Sequence, residues 1–157
     1  MQKYPMTPKG FNKMKEELNN LKNVERPAII AAIQAARELG DLSENAEYHS
    51  AKEKQSFIEG KIADLEVKVS RAEVIDVTKL NGNDVKFGTT ITVEDLDEEV
   101  SLTYKIVGID ESDVKKGYIS FTSPIARGLI GKEEGDIIQI QTPGGEKNYE
   151  IKKVEYI

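Results

Sequence analysis

Apolar residues recur at alternating spacings of three and four over two stretches of this chain, then give way to every-other-residue alternation. The first stretch holds Phe11, Met14, Leu18 and Leu21. The second holds Tyr48, Ala51, Gln55, Ile58, Ile62, Leu65, Val69 and Ala72, with one polar position among them. Such spacing places the apolar side chains on one face of an α-helix, and the longer run has the form of a coiled-coil seam. Thr7-Pro8 marks a helix start, with Thr7 as cap and Pro8 at the first helical position. Pro27 cannot donate to the preceding turn, so a kink or break is expected there. Beyond it the alanine-rich run Ala28 to Ala36 allows two seams. One passes through Ala28, Ala32 and Ala35, the other through Ile29, Ile33 and Ala36, and the pattern does not choose between them. Either way small residues dominate, and the helices can approach closely.

Between the two helical patterns lies Gly40-Asp41-Leu42-Ser43-Glu44-Asn45-Ala46-Glu47-Tyr48. Gly40 can adopt the positive backbone angle that ends a helix. Asp41 is placed to cap the next helix, and Glu44, three residues on, completes a capping-box-like pair. The expected result is an antiparallel αα-hairpin. About 30 helical residues per side would reach roughly 45 Å.

The pattern changes near Ala72. Val74-Ile75-Asp76-Val77 and Thr89 to Val93 are β-branched runs, and Val100, Leu102, Tyr104 and Ile106 alternate with polar neighbours. These predict strands. Tyr118 to Phe121 is a further short strand, and Ser123-Pro124 opens a short helix through Ile125, Ala126, Leu129 and Ile130. Ile137 to Ile140 and Tyr149 to Val154 flank Pro143-Gly144-Gly145 as a final hairpin. The expected fold class is α+β: an N-terminal antiparallel coiled-coil hairpin, residues 1–75, then a small antiparallel sheet domain with one helix, residues 76–157.

The charges narrow the function. The net charge is −6, with 32% charged residues. Residues 1–75 balance their charges, so the whole excess of acid falls on the second half. That argues against autonomous tight nucleic-acid binding, which depends on neutralising phosphates. There is no cysteine, which excludes disulfides and suits a reducing cytoplasm. No apolar run approaches a membrane span, and no signal-peptide core follows the N-terminus. The single histidine, His49, excludes a multi-histidine metal site, and no phosphate-binding loop or nucleophile–base arrangement is present.

The chemistry therefore gathers at the hairpin turn. Asp41 and Glu44 serve as helix caps on one reading. On the other, with Glu47 as a third acid, they form a repulsive cluster that a cation would relieve. Two or three carboxylates are too few for a dedicated Mg²⁺ cage, because Mg²⁺ takes six oxygens and shares ligands with phosphate and water. They could complete a second metal position in a site that already holds one, the arrangement that supports in-line phosphodiester hydrolysis.

The stretch from Gly40 to Tyr48 resembles the tip motif of the bacterial Gre transcript-cleavage factors. Ser123-Pro124-Ile125-Ala126-Arg127-Gly128-Leu129-Ile130-Gly131-Lys132 resembles their C-terminal signature, and Thr142-Pro143-Gly144-Gly145-Glu146 also fits. The resemblance spans essentially the whole chain. It implies an FKBP-like second domain that docks on the rim of the secondary channel of bacterial RNA polymerase while the coiled coil enters the channel. The polymerase then cleaves the 3′ end of backtracked nascent RNA and resumes elongation. On this resemblance the chain is not itself an enzyme. Asp41 and Glu44 match the two acids credited with holding the second Mg²⁺ and orienting the attacking water, a metal shared with the polymerase and not held stably by the isolated protein. The absence of cysteine, of a membrane span and of a signal-peptide core points to a cytoplasmic protein, and a monomer is expected.

Other residues keep two readings. Arg37 and Lys52 are either ordinary solvated charges or a basic face toward RNA. Tyr48 packs in the seam or helps order the tip. Ser123 and Pro124 form a helix cap, or with Ile125 lie in a polymerase-docking surface as the resemblance implies. Two rival functions remain open: an inhibitor that plugs the same channel without promoting cleavage, and a coiled-coil chaperone or prolyl isomerase.

Overall fold

The first turn of helix forms where Thr7 accepts the Gly10 N–H through Oγ1 at 3.1 Å, as the Thr-Pro signal predicts. In this computed structural model, which describes residues 2–157, the chain divides into two units. One is built on Phe11–Ala72, the other on Tyr4–Gly10 with Glu73–Ile157. Among the described residues no helix is long and apolar enough to cross a membrane.

The helical unit has three helices: α1 (Pro8–Asn20), α2 (Arg26–Arg37) and α3 (Ala46–Ser70). Between α1 and α2 the chain does not break. Leu21–Glu25 widens into a π turn, and the Arg26 N–H donates to Leu21 O, five residues back. Pro27 is the cause. Lacking an N–H, it leaves the carbonyl four residues earlier without its usual donor and crowds it, and a widened turn relieves both problems. The extra residue also shifts the phase of the seam. Continued without it, the line through Met14, Leu18 and Leu21 would run on to Ala28, Ala32 and Ala35. Instead Ile29, Ile33 and Ala36 are buried, and the alternative left open by the pattern is settled in their favour.

α3 packs antiparallel on α2. Its buried residues are Ile58, Ile62 and Leu65, and every other member of the Tyr48-to-Ala72 seam is at least half-buried. Arg26 grips Glu59 across the pair through two bonds of 2.8 and 2.7 Å. Both groups are partly exposed to water, so this pair fixes alignment more than it adds stability.

The second unit carries two sheets. β1 (Tyr4–Met6) pairs with β2 (Ala72–Val74). The pattern of the sequence does not predict β1, whose three residues are too few to show alternation. The run Val74 to Val77 does not continue as a strand as expected. Asp76 accepts from Thr78 N at 3.0 Å and starts a 3₁₀ turn, Val77–Lys79. A carboxylate that satisfies the backbone locally competes with strand pairing.

The main sheet comprises β3 (Thr90–Asp95), β4 (Val100–Val107), β5 (Tyr118–Ser120), β6 (Ile137–Thr142) and β7 (Gly145–Glu155), in the order β5-β4-β3-β7-β6. It is not wholly antiparallel: β5 runs parallel to β4. The connection between them holds two 3₁₀ turns, Ile109–Glu111 and Val114–Lys116, long enough to return the chain in the same direction. Gly117 ends it with φ 77°, and a Cβ there would lie 2.5 Å from Thr103 O. α4 (Pro124–Leu129) packs on β6, with Ala126 and Leu129 fully buried. They join Val85, Ile91, Ile106 and Ile151 in the core.

One buried polar group stands out. Asp95, 1% exposed, closes the β3–β4 turn by accepting from Asp97 N at 2.9 Å and Glu98 N at 3.1 Å, with Lys147 Nζ at 3.5 Å. Burial pushes its carboxyl upward, but the two amides and the lysine outweigh that and hold it below the ordinary carboxylate range.

Two outcomes follow. Removing the Ile62 side chain beyond Cβ empties the middle of the seam, where it is 2% exposed. Ile62→Ala is expected to lower unfolding free energy by about 2–5 kcal/mol, and Lys61→Ala, on the surface beside it, by about 0–1 kcal/mol. Equal costs in urea unfolding would contradict the seam. Asp95 contributes stability at neutral pH, because its folded-state pKa lies below the unfolded value of about 3.9. That contribution is lost as pH falls from about 4 through the lowered folded value. Asp95→Asn should therefore be less stable than the wild type at pH 7, with the difference shrinking below pH 4. A difference that stayed constant on acidification would contradict this account.

Candidate functional site at the hairpin turn

α2 runs out at Arg37, and Leu39 N still reaches Ala36 O at 3.1 Å. Gly40 then takes φ 132°, a value that L side chains rarely adopt, and breaks the helix as its sequence position predicts. The next four residues depart from the expected geometry. Asp41 does not cap α3. It caps a separate 3₁₀ turn, Leu42–Glu44, by accepting Ser43 N at 3.0 Å and Ser43 Oγ at 2.9 Å, both on Oδ1. Glu44 consequently has no capping-box role. The cap of α3 is Asn45, whose Oδ1 accepts Tyr48 N at 3.0 Å. The spacing of Asp41 and Glu44 fits a capping box, but Asn45, directly before the alanine-led helix, is an equally good cap by residue type and is the one that forms.

This relocation changes what the carboxylates can do. The backbone N–H and the hydroxyl of Ser43 hold the Asp41 carboxyl below its ordinary range, while Oδ2 takes no part in these bonds. Among the described residues, the Glu44 and Glu47 carboxylates have no hydrogen-bond or ion-pair partner. Asp41, Glu44 and Glu47 line one shallow open hollow with Leu39, Asn45 and Ala46. The result is a set of exposed acidic side chains around a common depression, of which Asp41 caps the 3₁₀ turn through Oδ1 and Glu44 and Glu47 cap nothing. The tip is not purely acidic, however, because Leu39 and Leu42 are also exposed, at 66% and 39%.

Behind the acids sits an aromatic step. Tyr48 is half-buried. The Arg37 guanidinium lies 5.9 Å from its ring centre, and the His49 ring meets it edge-on at 5.6 Å. His49 Nε2 also lies 3.3 Å from Ser43 O, so the one histidine braces the 3₁₀ turn. The structure thus brings Arg37 and Tyr48 together. Lys52 stands one turn further along α3 and donates to Gln55 Oε1 at 3.3 Å, apart from that stack.

The remaining candidates lie in the sheet unit. Ser123 Oγ accepts Ala126 N at 3.3 Å as the cap of α4, and Pro124 is exposed at the first helical position. Ile125 is half-buried against the core. Arg127 Nε donates to Thr122 O at 2.8 Å and fastens this turn to the chain before it.

Residues 4–74 match the family described as "Transcription elongation factor, N-terminal", and residues 80–156 match "Transcription elongation factor, GreA/GreB, C-term". The chain is 59% identical over 157 residues to the transcription elongation factor GreA of Phenylobacterium zucineum, covering 100% of both. It is 61% identical over 156 residues to that of Hyphomonas neptunium, covering 99% of each. Among solved structures, one titled as the transcription factor Gfh1 aligns with 98% of this chain and 97% of its own, at 22% identity and a TM-score of 0.46. With both halves matched and the curated relatives aligned end to end, this chain belongs to the GreA/GreB family of transcription elongation factors.

Proposed function

We propose that this protein binds bacterial RNA polymerase, places its hairpin turn in the secondary channel and stimulates the polymerase's own cleavage of the 3′ end of backtracked RNA, acting as a monomer in the cytoplasm. The observation that carries this reading is the hollow shared by Asp41, Glu44 and Glu47, with one carboxylate ordered by Ser43 and two unpartnered. Such a donor set fits Mg²⁺ only in part. The oxygens are hard and anionic, but among the described residues no group of three or more His, Asp or Glu converges on a metal position. The rest of an octahedral shell has to come from elsewhere, which matches a metal shared with the polymerase. There Asp41 and Glu44 would hold it, and when bound it supplies charge stabilisation to the attacking and leaving oxygens of phosphodiester cleavage.

The protein's own residues then have separable tasks. Ser43 orders Asp41 by donating to Oδ1 from its backbone N–H and its hydroxyl. Glu44 and Glu47 add negative charge without competing hydrogen bonds. Arg37, stacked by Tyr48, and Lys52 offer cations behind the acids, suited to RNA phosphates. Ser123, Pro124 and Ile125 belong to the polymerase-docking surface. The protein lends acids to another enzyme's reaction and has no catalytic activity alone. The exposed Leu39 and Leu42 support a second reading, a client-binding arm, which would be favoured if the protein suppressed aggregation of unfolded clients without affecting transcript cleavage.

The test is the rate of RNA cleavage in a stalled elongation complex against magnesium concentration, with polymerase binding measured in parallel. Asp41→Asn keeps an acceptor for Ser43 and Glu44→Gln keeps side-chain size, so each should preserve the fold. Each is expected to lower cleavage by orders of magnitude, several kcal/mol of transition-state stabilisation, while still competing with the wild type for polymerase. Wild-type cleavage by the double variant would refute the mechanism. Replacing Arg37 and Lys52 together with Glu should weaken cleavage most at low salt, where phosphate contacts count most. Unchanged cleavage rates across the salt series would leave them as solvated charges.

A further inference from the structure

We propose that Asn45 is the positioning residue of the hairpin tip: its one side-chain amide closes both helix ends across the turn and thereby sets where Asp41 and Glu44 stand. A helix end leaves backbone groups without partners, carbonyls at the C-terminus and N–H groups at the N-terminus. Asn45 serves one of each kind. Its Nδ2 donates to Ala36 O in the last turn of α2 at 2.6 Å, and its Oδ1 accepts Tyr48 N in the first turn of α3 at 3.0 Å. The orientation of the amide is fixed by these partners, since the flipped form would set donor against donor and acceptor against acceptor.

The segment that carries the acids is tied off by this group. Its exit is Asn45 itself, and its entrance is the helix turn that ends at Ala36, already seated in the seam at 4% exposure. Inside the loop, the Asn45 backbone N–H reaches Leu42 O at 3.4 Å, and His49 braces Ser43 O. Besides the Arg37–Tyr48 stack, the Asn45 amide joins α2 to the start of α3 at the tip, and it does so by hydrogen bonds to both backbones. A carboxylate offers no donor for Ala36, and a serine hydroxyl is one bond shorter than the amide nitrogen. Asn45 thus holds a requirement that Asp or Ser, both good helix caps, do not meet.

This inference rests on the proposed function, and its test separates the two. Asn45→Ser keeps an acceptor for Tyr48 N and adds no charge. Asn45→Asp keeps size and acceptor but turns the donor into an acceptor facing the Ala36 carbonyl. Both are assayed beside Asp41→Asn at equal polymerase occupancy, with helix melting followed by circular dichroism. The expected result is cleavage reduced tenfold to a hundredfold, the order that a displacement of about 1 Å costs a reaction, in variants whose melting and polymerase binding match the wild type. Should Asn45→Ser melt early, Asn45→Asp carries the measurement. Wild-type cleavage by a normally melting Asn45 variant, with Asp41→Asn inactive, overturns the positioning role alone. Wild-type cleavage by Asp41→Asn as well overturns the proposed function and this inference with it. A loss of cleavage that only tracks a loss of helix in both variants makes Asn45 an ordinary cap and also overturns the proposal.

Discussion

A two-helix hairpin has one shared face, and whatever stability the pair has must come from it. In this protein that face is narrow: Met14, Leu21, Ile29, Ile33 and Ala36 on the outgoing side, and Ile58, Ile62 and Leu65 on α3. Isolated helices of this length owe little to intrinsic propensity in water, so the packed stripe decides whether they form. The charged pairs that flank it are exposed and align the helices rather than hold them. Everything placed at the turn inherits its position from that stripe, because Ala36, the last buried residue of α2, is also where the Asn45 amide attaches.

Much of this was legible in the residues. The return seam from Tyr48 to Ala72 was readable because its spacing never falters, and buried or half-buried positions follow it throughout. Thr7-Pro8 and Ser123-Pro124 were readable because a hydroxyl followed by proline has few other uses. Gly40 was readable for its backbone freedom. Less visible were features whose cause lies outside their own segment. β1 exists only through its pairing with β2, and the parallel placement of β5 depends on turns that its own sequence does not contain. Asp95 looked like one acid among many in an acidic half, because nothing in a sequence states that two amides and a lysine will surround it.

The tip shows a subtler limit. Its acidic character was evident, and so was the need for a cap. Which acceptor would cap was not, because Asp41 and Asn45 both satisfy the local rule, and the choice depends on whether Leu42–Glu44 forms its own turn. That choice separates two kinds of site. With Asn45 as cap, the carboxylates of Glu44 and Glu47 keep their charge unspent and face solvent. Had Asp41 and Glu44 closed the helix, their oxygens would already have been occupied by backbone donors.

The π turn at Leu21–Glu25 does more than accommodate a proline. Each residue of an α-helix advances the azimuth by about 100°, so one extra residue turns all that follows about the helix axis by that amount. The face bearing Ile29, Ile33 and Ala36 looks along the hairpin's inner side because of this added step. The bearing of the turn residues, including the direction in which the hollow of Asp41, Glu44 and Glu47 opens, follows from the same step. Pro27 thereby acts as a compass setting for the far end of the helix. Without the widened turn, the line through Met14, Leu18 and Leu21 would reach Ala28, Ala32 and Ala35 in place of Ile29, Ile33 and Ala36.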